Sequence, residues 1–392
     1  MIMNNLCTDI GYRSVNKNGE QLCGDHVELI GQGSDSVVMV LADGLGSGVK
    51  ANILSTLTSK IISTMMANDM SVEDCVSTIA ATLPVCEVRQ VAYSTFTIIH
   101  IVNNSEAEII QYDNPDVIML RDGKNVEYPR TVMEIGGKNI SRSKIPIQEG
   151  DIFIAMSDGA IHAGVGTSLN FGWERKNIIE FMEMMYDPDF TAKTLSTILL
   201  DECVHLYGDI PGDDTTISTV KVRVRKPVNL MIGPPASPDD VGKMMSLFFS
   251  KEGKHIVCGG TTSNLAAKFL GKTVQPTLGY LDPEIPPIAK IDGVDLTTEG
   301  VITINKVLTY ANDYLSCNES YTDWSYKKDG ASQIARLLFE EATDINFYVG
   351  KAINPAHQNP NLPINFSIKM RLVDELAEAL RKMGKQIKVS HF

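Results

Sequence analysis

The sequence lacks any stretch able to cross a bilayer. Its most continuous apolar run, Val37 to Ala42, falls far short of the roughly 20 residues that a spanning helix needs. No N-terminal stretch joins a basic region to an apolar one in the manner of a secretory signal. The expectation is a soluble, cytoplasmic chain without a membrane partner. Basic residues are also scarce: 35 Lys and Arg stand against 48 Asp and Glu, a formal net charge of −13. Clustered cations are what hold a phosphate backbone, so nucleic acid is not expected as a partner. The seven cysteines (Cys7, Cys23, Cys75, Cys86, Cys203, Cys258 and Cys317) are odd in number and scattered, with no C-x-x-C pair. That excludes a disulfide framework and a zinc knuckle, and fits reduced thiols in a reducing compartment. No period of about 20–50 residues recurs, which excludes a solenoid or propeller.

What is present is ordinary folding material, 43% hydrophobic and 21% charged over 392 residues. At about 100–200 residues per domain, that length implies two domains or more. The clearest seam is Arg225-Lys226-Pro227, followed by Gly233-Pro234-Pro235-Ala236-Ser237-Pro238, where proline and glycine end a strand-rich region. The expected division is therefore 1–225 and 226–392. In the first part, Ser36–Ala42, Ser94–Val102, Ala107–Tyr112, Asp116–Leu120, Ile152–Met156 and Thr215–Val224 read as strands, and Asp122-Gly123 reads as a hairpin turn. Helical periodicity covers Gly48–Met66, Val72–Thr82, Glu174–Met185 and Thr191–Leu206. Strands segregate from helices, which is an α+β layout of helices packed on an antiparallel sandwich. In the second part, strand-like Val228–Ile232, His255–Cys258, Ile345–Val349 and Gln386–Val389 interleave with helices at Asp239–Phe249, Asn264–Phe269, Glu299–Tyr314, Ser332–Ala342 and Ile368–Met383. That is a separate α/β domain, with Gly384 placed for a left-handed helix cap.

Asp-Gly occurs at 43, 122, 158, 292 and 329, and turns alone explain most such pairs. Asp43 and Asp158 differ because each ends an apolar strand, Val37–Ala42 and Ile152–Ser157. A carboxylate at the edge of a core must be paired, hydrogen-bonded or bound to a metal to offset its desolvation. A third acidic station, Asp213-Asp214, precedes the strand beginning at Thr215, and Asp25 makes a fourth. Four carboxylate stations with few competing bases suit hard cations such as Mg²⁺ or Mn²⁺.

In order and spacing, Gly24-Asp25, Leu41-Ala42-Asp43-Gly44-Leu45-Gly46-Ser47-Gly48, Met156-Ser157-Asp158-Gly159 and Gly212-Asp213-Asp214-Thr215-Thr216 resemble the stage II sporulation protein E branch of the PPM-type metal-dependent serine/threonine phosphatases. The resemblance covers about residues 10–224. It implies a four-layer α-β-β-α sandwich and a cofactor of two ions, Mn²⁺ or Mg²⁺. Asp43 would bridge the pair, the Gly44 carbonyl and Asp25 would complete one ion, and Asp158 and Asp213 the other, with Asp214 either an alternative ligand or a residue that shapes the loop. Asp43 and Asp158 are accordingly the residues expected at the centre of catalysis. The partner implied is a phosphorylated protein, a small antagonist of an anti-sigma factor being the family's usual substrate.

Other readings attach to particular residues. Strand, glycines and helix at Val40–Gly48 also open a dinucleotide-binding turn, but the spacing is G-x-G-x-G and Asp43 would repel a pyrophosphate. His26 and His162 lie beside acidic stations and are candidates for a general acid, or else solvated loop residues. Ile53, Leu54, Leu57, Ile61 and Ile62 form an apolar stripe at helical spacing, which predicts core packing for that helix. Cys258-Gly259-Gly260-Thr261-Thr262-Ser263-Asn264 joins a strand to a helix N-terminus, where backbone N–H groups hold an anion or where Thr or Ser merely caps.

Overall fold

The computed structural model describes residues 5–33, 35–82, 94–276, 285–316, 324–352 and 365–392. The chain separates into two compact units, Met1–Val224 and Arg225–Phe392.

The first unit runs β1 (Leu6–Val15), β2 (Asp25–Gln32), β3 (Ser36–Asp43), α1 (Gly48–Met66), α2 (Val72–Thr82), β4 (Thr95–Val102), β5 (Glu106–Tyr112), β6 (Ile118–Arg121), β7 (Lys124–Asn125), β8 (Thr131–Ile135), β9 (Lys138–Pro146), β10 (Ile152–Met156), α3 (Asp158–His162), α4 (Arg175–Met185), α5 (Ala192–Leu206) and β11 (Thr215–Val224). Two antiparallel sheets result, β1-β11-β10-β6-β7 and β2-β3-β4-β5-β9-β8. Their inner faces meet through Met39, Leu41, Ile99, Met119, Phe153 and Val220, all buried. The outer face of the larger sheet is covered by α1 and α2 through Ile62, Met66, Val76 and Ile79. That of the smaller sheet is covered by α4 and α5 through Ile178, Met182, Leu195 and Leu199. The strands therefore bury both faces, which is why β3 and β10 read as continuous apolar runs instead of alternating ones. Helix, sheet, sheet, helix is the layering expected. Asp122 and Gly123, both at positive φ, make the two-residue turn that pairs Arg121 with Lys124.

One packing expectation fails. On α1 the outward side carries Val49, Ile53 and Leu57, about half exposed, while the buried face is Ala51, Ser55, Thr58, Ser59, Ile62 and Ser63. Small residues let the helix lie close on β2 and β3, so in its first half the stripe at helical spacing marks the solvent face.

The second unit runs β12 (Pro227–Ile232), α6 (Val241–Phe249), β13 (Lys254–Cys258), α7 (Gly260–Leu270), β14 (Gln275–Pro276), β15 (Ala289–Lys290), β16 (Leu296–Thr298), α8 (Val301–Leu315), α9 (Gly330–Ala335), β17 (Asp344–Val349), α10 (Asn365–Lys382) and β18 (Gln386–His391). Five strands are parallel in the order β16-β13-β12-β17-β18, and β14 and β15 extend one edge antiparallel. Helices α6 and α7 cover one face around Met244, Met245 and Phe248. The other face is covered by α8, α9 and α10 around Val307, Ile334 and Leu376. In chain order the parallel strands lie 3-2-1-4-5, a doubly wound sheet whose order reverses between β12 and β17. Helix α7 starts at Gly260, four residues before the expected Asn264. The segment expected as a helix over Ser332–Ala342 is α9 followed by a π-helical turn, Arg336–Glu341. Gly384 has φ of +83° and closes the end of α10.

Among the described residues, no helix is long and apolar enough to cross a membrane. Cys7, Cys23, Cys75, Cys203 and Cys258 form no disulfide; Cys86 and Cys317 lie outside the described residues.

Candidate active site

The carboxylates predicted from sequence come together at one end of the sandwich, and the strand register explains how. β2 and β3 pair antiparallel with Asp25 directly opposite Asp43, so the first residue of one strand and the last of its neighbour share an edge. In the other sheet β10 ends at Met156, and Asp158 opens α3 two residues later. β11 begins at Thr215 beside it, which carries Asp213 and Asp214 to the same end. Two hydrogen bonds stitch this junction: the Ser157 N–H donates to the Thr216 carbonyl at 3.0 Å and the Thr216 N–H to Ser157 Oγ at 2.9 Å. Tyr207 donates its hydroxyl to the Gly159 carbonyl at 2.7 Å, fixing the turn behind Asp158.

Glycines make the close approach possible. A Cβ at Gly44 would lie 2.2 Å from the Ala51 carbonyl oxygen, and one at Gly159 2.2 Å from that of Asp214. Neither distance is available to a real side chain. Gly44 is thereby held against the first turn of α1, with its N–H donating to the Gly24 carbonyl at 3.1 Å.

The electrostatics are those of a crowd of like charges. Asp25 is 4% exposed, and neither of its oxygens has a hydrogen-bond partner of good geometry. Burial pushes its carboxyl above the usual range, Ser157 and Thr216 offset part of this, and Asp214 and Asp158 add to the rise. Asp43 is raised by burial and then by Asp25 and Asp158, although it accepts a backbone hydrogen bond from Asp158. Asp158 is raised by burial and by Asp213, and lowered by His162. One cation borders the group: Lys17 Nζ lies 3.8 Å from Asp213. Among the described residues, no group of three or more His, Cys, Asp or Glu side chains is arranged to hold a metal ion as it stands. The donor set nonetheless fits hard divalent cations. Buried carboxylate oxygens without partners, repelling one another, are what a cation would satisfy.

The Asp213/Asp214 ambiguity gains a structural asymmetry. Asp214 is buried and takes the Lys17 N–H on Oδ1 at 3.0 Å, while its unpartnered Oδ2 lies where a Cβ on Gly24 would come within 2.7 Å. It ties the loop before β2 to the start of β11. Asp213 is more exposed and faces Asp158. Of the histidines, His162 stands 3.9 Å from Asp158, one helical turn on. His26 points the other way: its Nδ1 is 2.8 Å from Ser59 Oγ on α1, and Glu28 and Lys60 are its charged neighbours. Strand alternation decides this, since His26 follows Asp25 and must face the opposite side of the sheet. Sequence reasoning did not single out Lys17, Ser157 or Tyr207. Only Ser157 left a trace, as part of the Met156–Gly159 motif.

Residues 33–223 match the family model of stage II sporulation protein E (SpoIIE). The match spans just under half of the chain, and it is this segment that is similar to the SpoIIE family. Among solved structures, the PP2C phosphatase domain of SpoIIE from Bacillus subtilis, with a fragment of its regulatory domain, is 16% identical; 55% of this chain and 63% of that one are covered at a TM-score of 0.47. The RsbU and RsbW domains of a Mycobacterium tuberculosis protein are 14% identical, covering 83% of this chain and 78% of that one at 0.47. The catalytic domain of the serine/threonine phosphatase PstP with two manganese ions is 16% identical, covering 56% and 99% at 0.40. No curated protein matches the chain.

Proposed function

We propose that the first unit is a divalent-metal-dependent phosphatase for phosphoserine and phosphothreonine in proteins, acting in a signalling circuit. The observation that carries this reading is the convergence of Asp25, Asp43, Asp158, Asp213 and Asp214 from four separate segments, with buried, unpartnered oxygens on Asp25. Asp25, Asp43 with the Gly44 carbonyl, Asp158 and Asp213 would hold two cations, Mn²⁺ or Mg²⁺, with Asp214 positioning the loop. When bound, such ions supply Lewis acidity toward a phosphoryl oxygen and a water acidic enough to deprotonate near neutral pH.

The chain's own residues do the rest. Asp43 ends β3 and Asp158 opens α3 directly after β10, supports that cannot move without disturbing the sandwich core, which fixes the geometry in advance. Burial of Asp25 excludes bulk water from the back of the group. His162, half exposed and beside Asp158, is placed to give a proton to a departing serine or threonine oxygen. The likeness of the segment to SpoIIE makes a phosphorylated antagonist of an anti-sigma factor the first substrate to try.

The test is turnover of an aryl phosphate and of a phosphoserine protein by the full chain after chelation, then with Mn²⁺ or Mg²⁺ restored. Activity is expected only with metal, and Asp43→Asn is expected to lose far more of it than His162→Ala. Full activity after exhaustive chelation would overturn the proposal. A small-molecule phosphatase with the same site would instead turn over phosphorylated metabolites and spare the protein.

A further inference from the structure

We propose that the second unit binds a small phosphorylated ligand bearing hydroxyl groups, of the sugar phosphate and mononucleotide class, in a crevice at the reversal point of its parallel sheet. The crevice has a volume of about 220 Å³ and is bounded by the turns that follow β12, β13 and β16, together with Ala352 and Lys369. It therefore lies beyond the carboxyl ends of the strands, next to the place where the order 3-2-1-4-5 changes direction, which is where open α/β sheets collect ligands.

Three features give the crevice its chemistry. First, two helices begin on its wall. Gly260, Thr261 and Thr262 are the first turn of α7, and Gly300 and Val301 the start of α8. Neither helix has a side-chain cap: the capping residues are Gly259 and Gly300, and neither end has a side-chain hydrogen bond. The first-turn N–H groups and the positive ends of both helices are left to whatever occupies the space. Second, Lys369 is on the wall, its ammonium donating to the Gly350 and Ala352 carbonyls. A cation beside two helix N-termini selects an anion. Third, Glu299 also lines the crevice, and a carboxylate on that wall offers an acceptor that a bare phosphate at neutral pH scarcely uses and a sugar hydroxyl does.

The same walls argue against a dinucleotide. In the usual dinucleotide turn, the glycine-rich loop after the first strand supplies N–H groups to a pyrophosphate. Here that loop reads Gly233-Pro234-Pro235, and each proline removes an N–H. A side chain on Gly350 would come within 2.1 Å of the Pro234 carbonyl oxygen, so the loop is packed down against the end of β17. The anion-holding turn is the one after the second strand, and the volume suits one phosphorylated unit.

The experiment uses the full chain in chelator, carrying Asp43→Asn so that the phosphatase centre neither binds metal nor turns over the probes. Ribose 5-phosphate, AMP, inorganic phosphate and ribose are titrated by calorimetry and by ligand-observed NMR. The expected result is saturable binding of ribose 5-phosphate or AMP at one equivalent, at least about tenfold tighter than inorganic phosphate, with no binding of ribose. Two variants locate it. A Cβ at Gly260 would meet nothing within 4 Å, so Gly260→Leu fills the crevice without disturbing the wall; it should remove binding while leaving the melting temperature unchanged. Glu299→Gln should weaken ribose 5-phosphate about tenfold and change inorganic phosphate less than about twofold. Failure of both phosphorylated probes at millimolar concentration, binding that survives Gly260→Leu, or equal binding of ribose and ribose 5-phosphate would each overturn the proposal. None of these outcomes bears on the phosphatase reading, whose centre is disabled throughout.

Discussion

Replacing Asp25 by Asn should stabilise the metal-free protein while abolishing its response to metal. Asp25 is nearly inaccessible, its oxygens lack partners, and it faces Asp43 across the strand pair. Burial, with Asp214 and Asp158 adding, pushes its carboxyl up to about 7 from 3.8. Because the folded-state value is raised, the folded protein binds more protons than the unfolded chain between those limits. Stability is therefore full below the unfolded value and falls as pH rises toward 7 and beyond. At about 1.4 kcal/mol per unit, burying this carboxylate beside a second one that is also raised costs on the order of 2 kcal/mol. Asparagine removes the charge and gives Asp43 a donor. For a domain of this size, about 2 kcal/mol is a rise in melting temperature of roughly 4–8 °C. The assay is calorimetric melting of the full chain in chelator at pH 8, repeated with Mn²⁺. The wild type should gain melting temperature with Mn²⁺, and Asp25→Asn should start higher and gain nothing. A variant that melts several degrees below wild type in chelator, or that gains as much from Mn²⁺, would refute the reasoning.

Apparent Mn²⁺ affinity, measured by calorimetry, should increase from pH 6 to pH 8, since protons on the raised carboxylates of Asp25, Asp43 and Asp158 compete with the ion. Gly159→Ala should cost about 1–3 kcal/mol and most of the activity, because its Cβ would displace the Asp214 carbonyl; denaturant melts and turnover check both. Asp151→Asn removes a fully buried carboxylate bonded to the partly exposed Arg121 at 2.7 and 2.8 Å, and should destabilise by about 1–3 kcal/mol while leaving the metal dependence of the remaining folded enzyme unchanged. A fragment of residues 1–225 contains every proposed ligand and should fold and hydrolyse an aryl phosphate; an insoluble or metal-blind fragment would show that the second unit completes the core or the site.

Local sequence was enough to place the carboxylates along the chain and to put Asp43 at the end of a buried strand, because a charge following an apolar run is a local feature; that Asp158 stands two residues past β10, as the first residue of α3, was not legible there. Local sequence also determined α1 and α2 at their observed limits, and the two-residue turn at Asp122-Gly123, for the same reason. β1 and β2 were not legible as strands. Polar residues such as Thr8, Asp9, Glu28 and Gln32 interrupt them, and they are held by register with β11 and β3. Tertiary structure alone decided that Asp25 lies opposite Asp43 and that His26 turns to Ser59. Pairing register, a long-range property, sets the first, and the two-residue period of the strand then sets the second. It also decided that Ile53 and Leu57 face outward, since a helix resting on a sheet through alanine and serine comes too close to leave room for larger side chains beneath it. In the second unit the strand order 3-2-1-4-5 places Gly259, Glu299, Gly300 and Lys369 around one crevice. These residues are far apart in the chain, and only the crossovers of a parallel sheet bring them together.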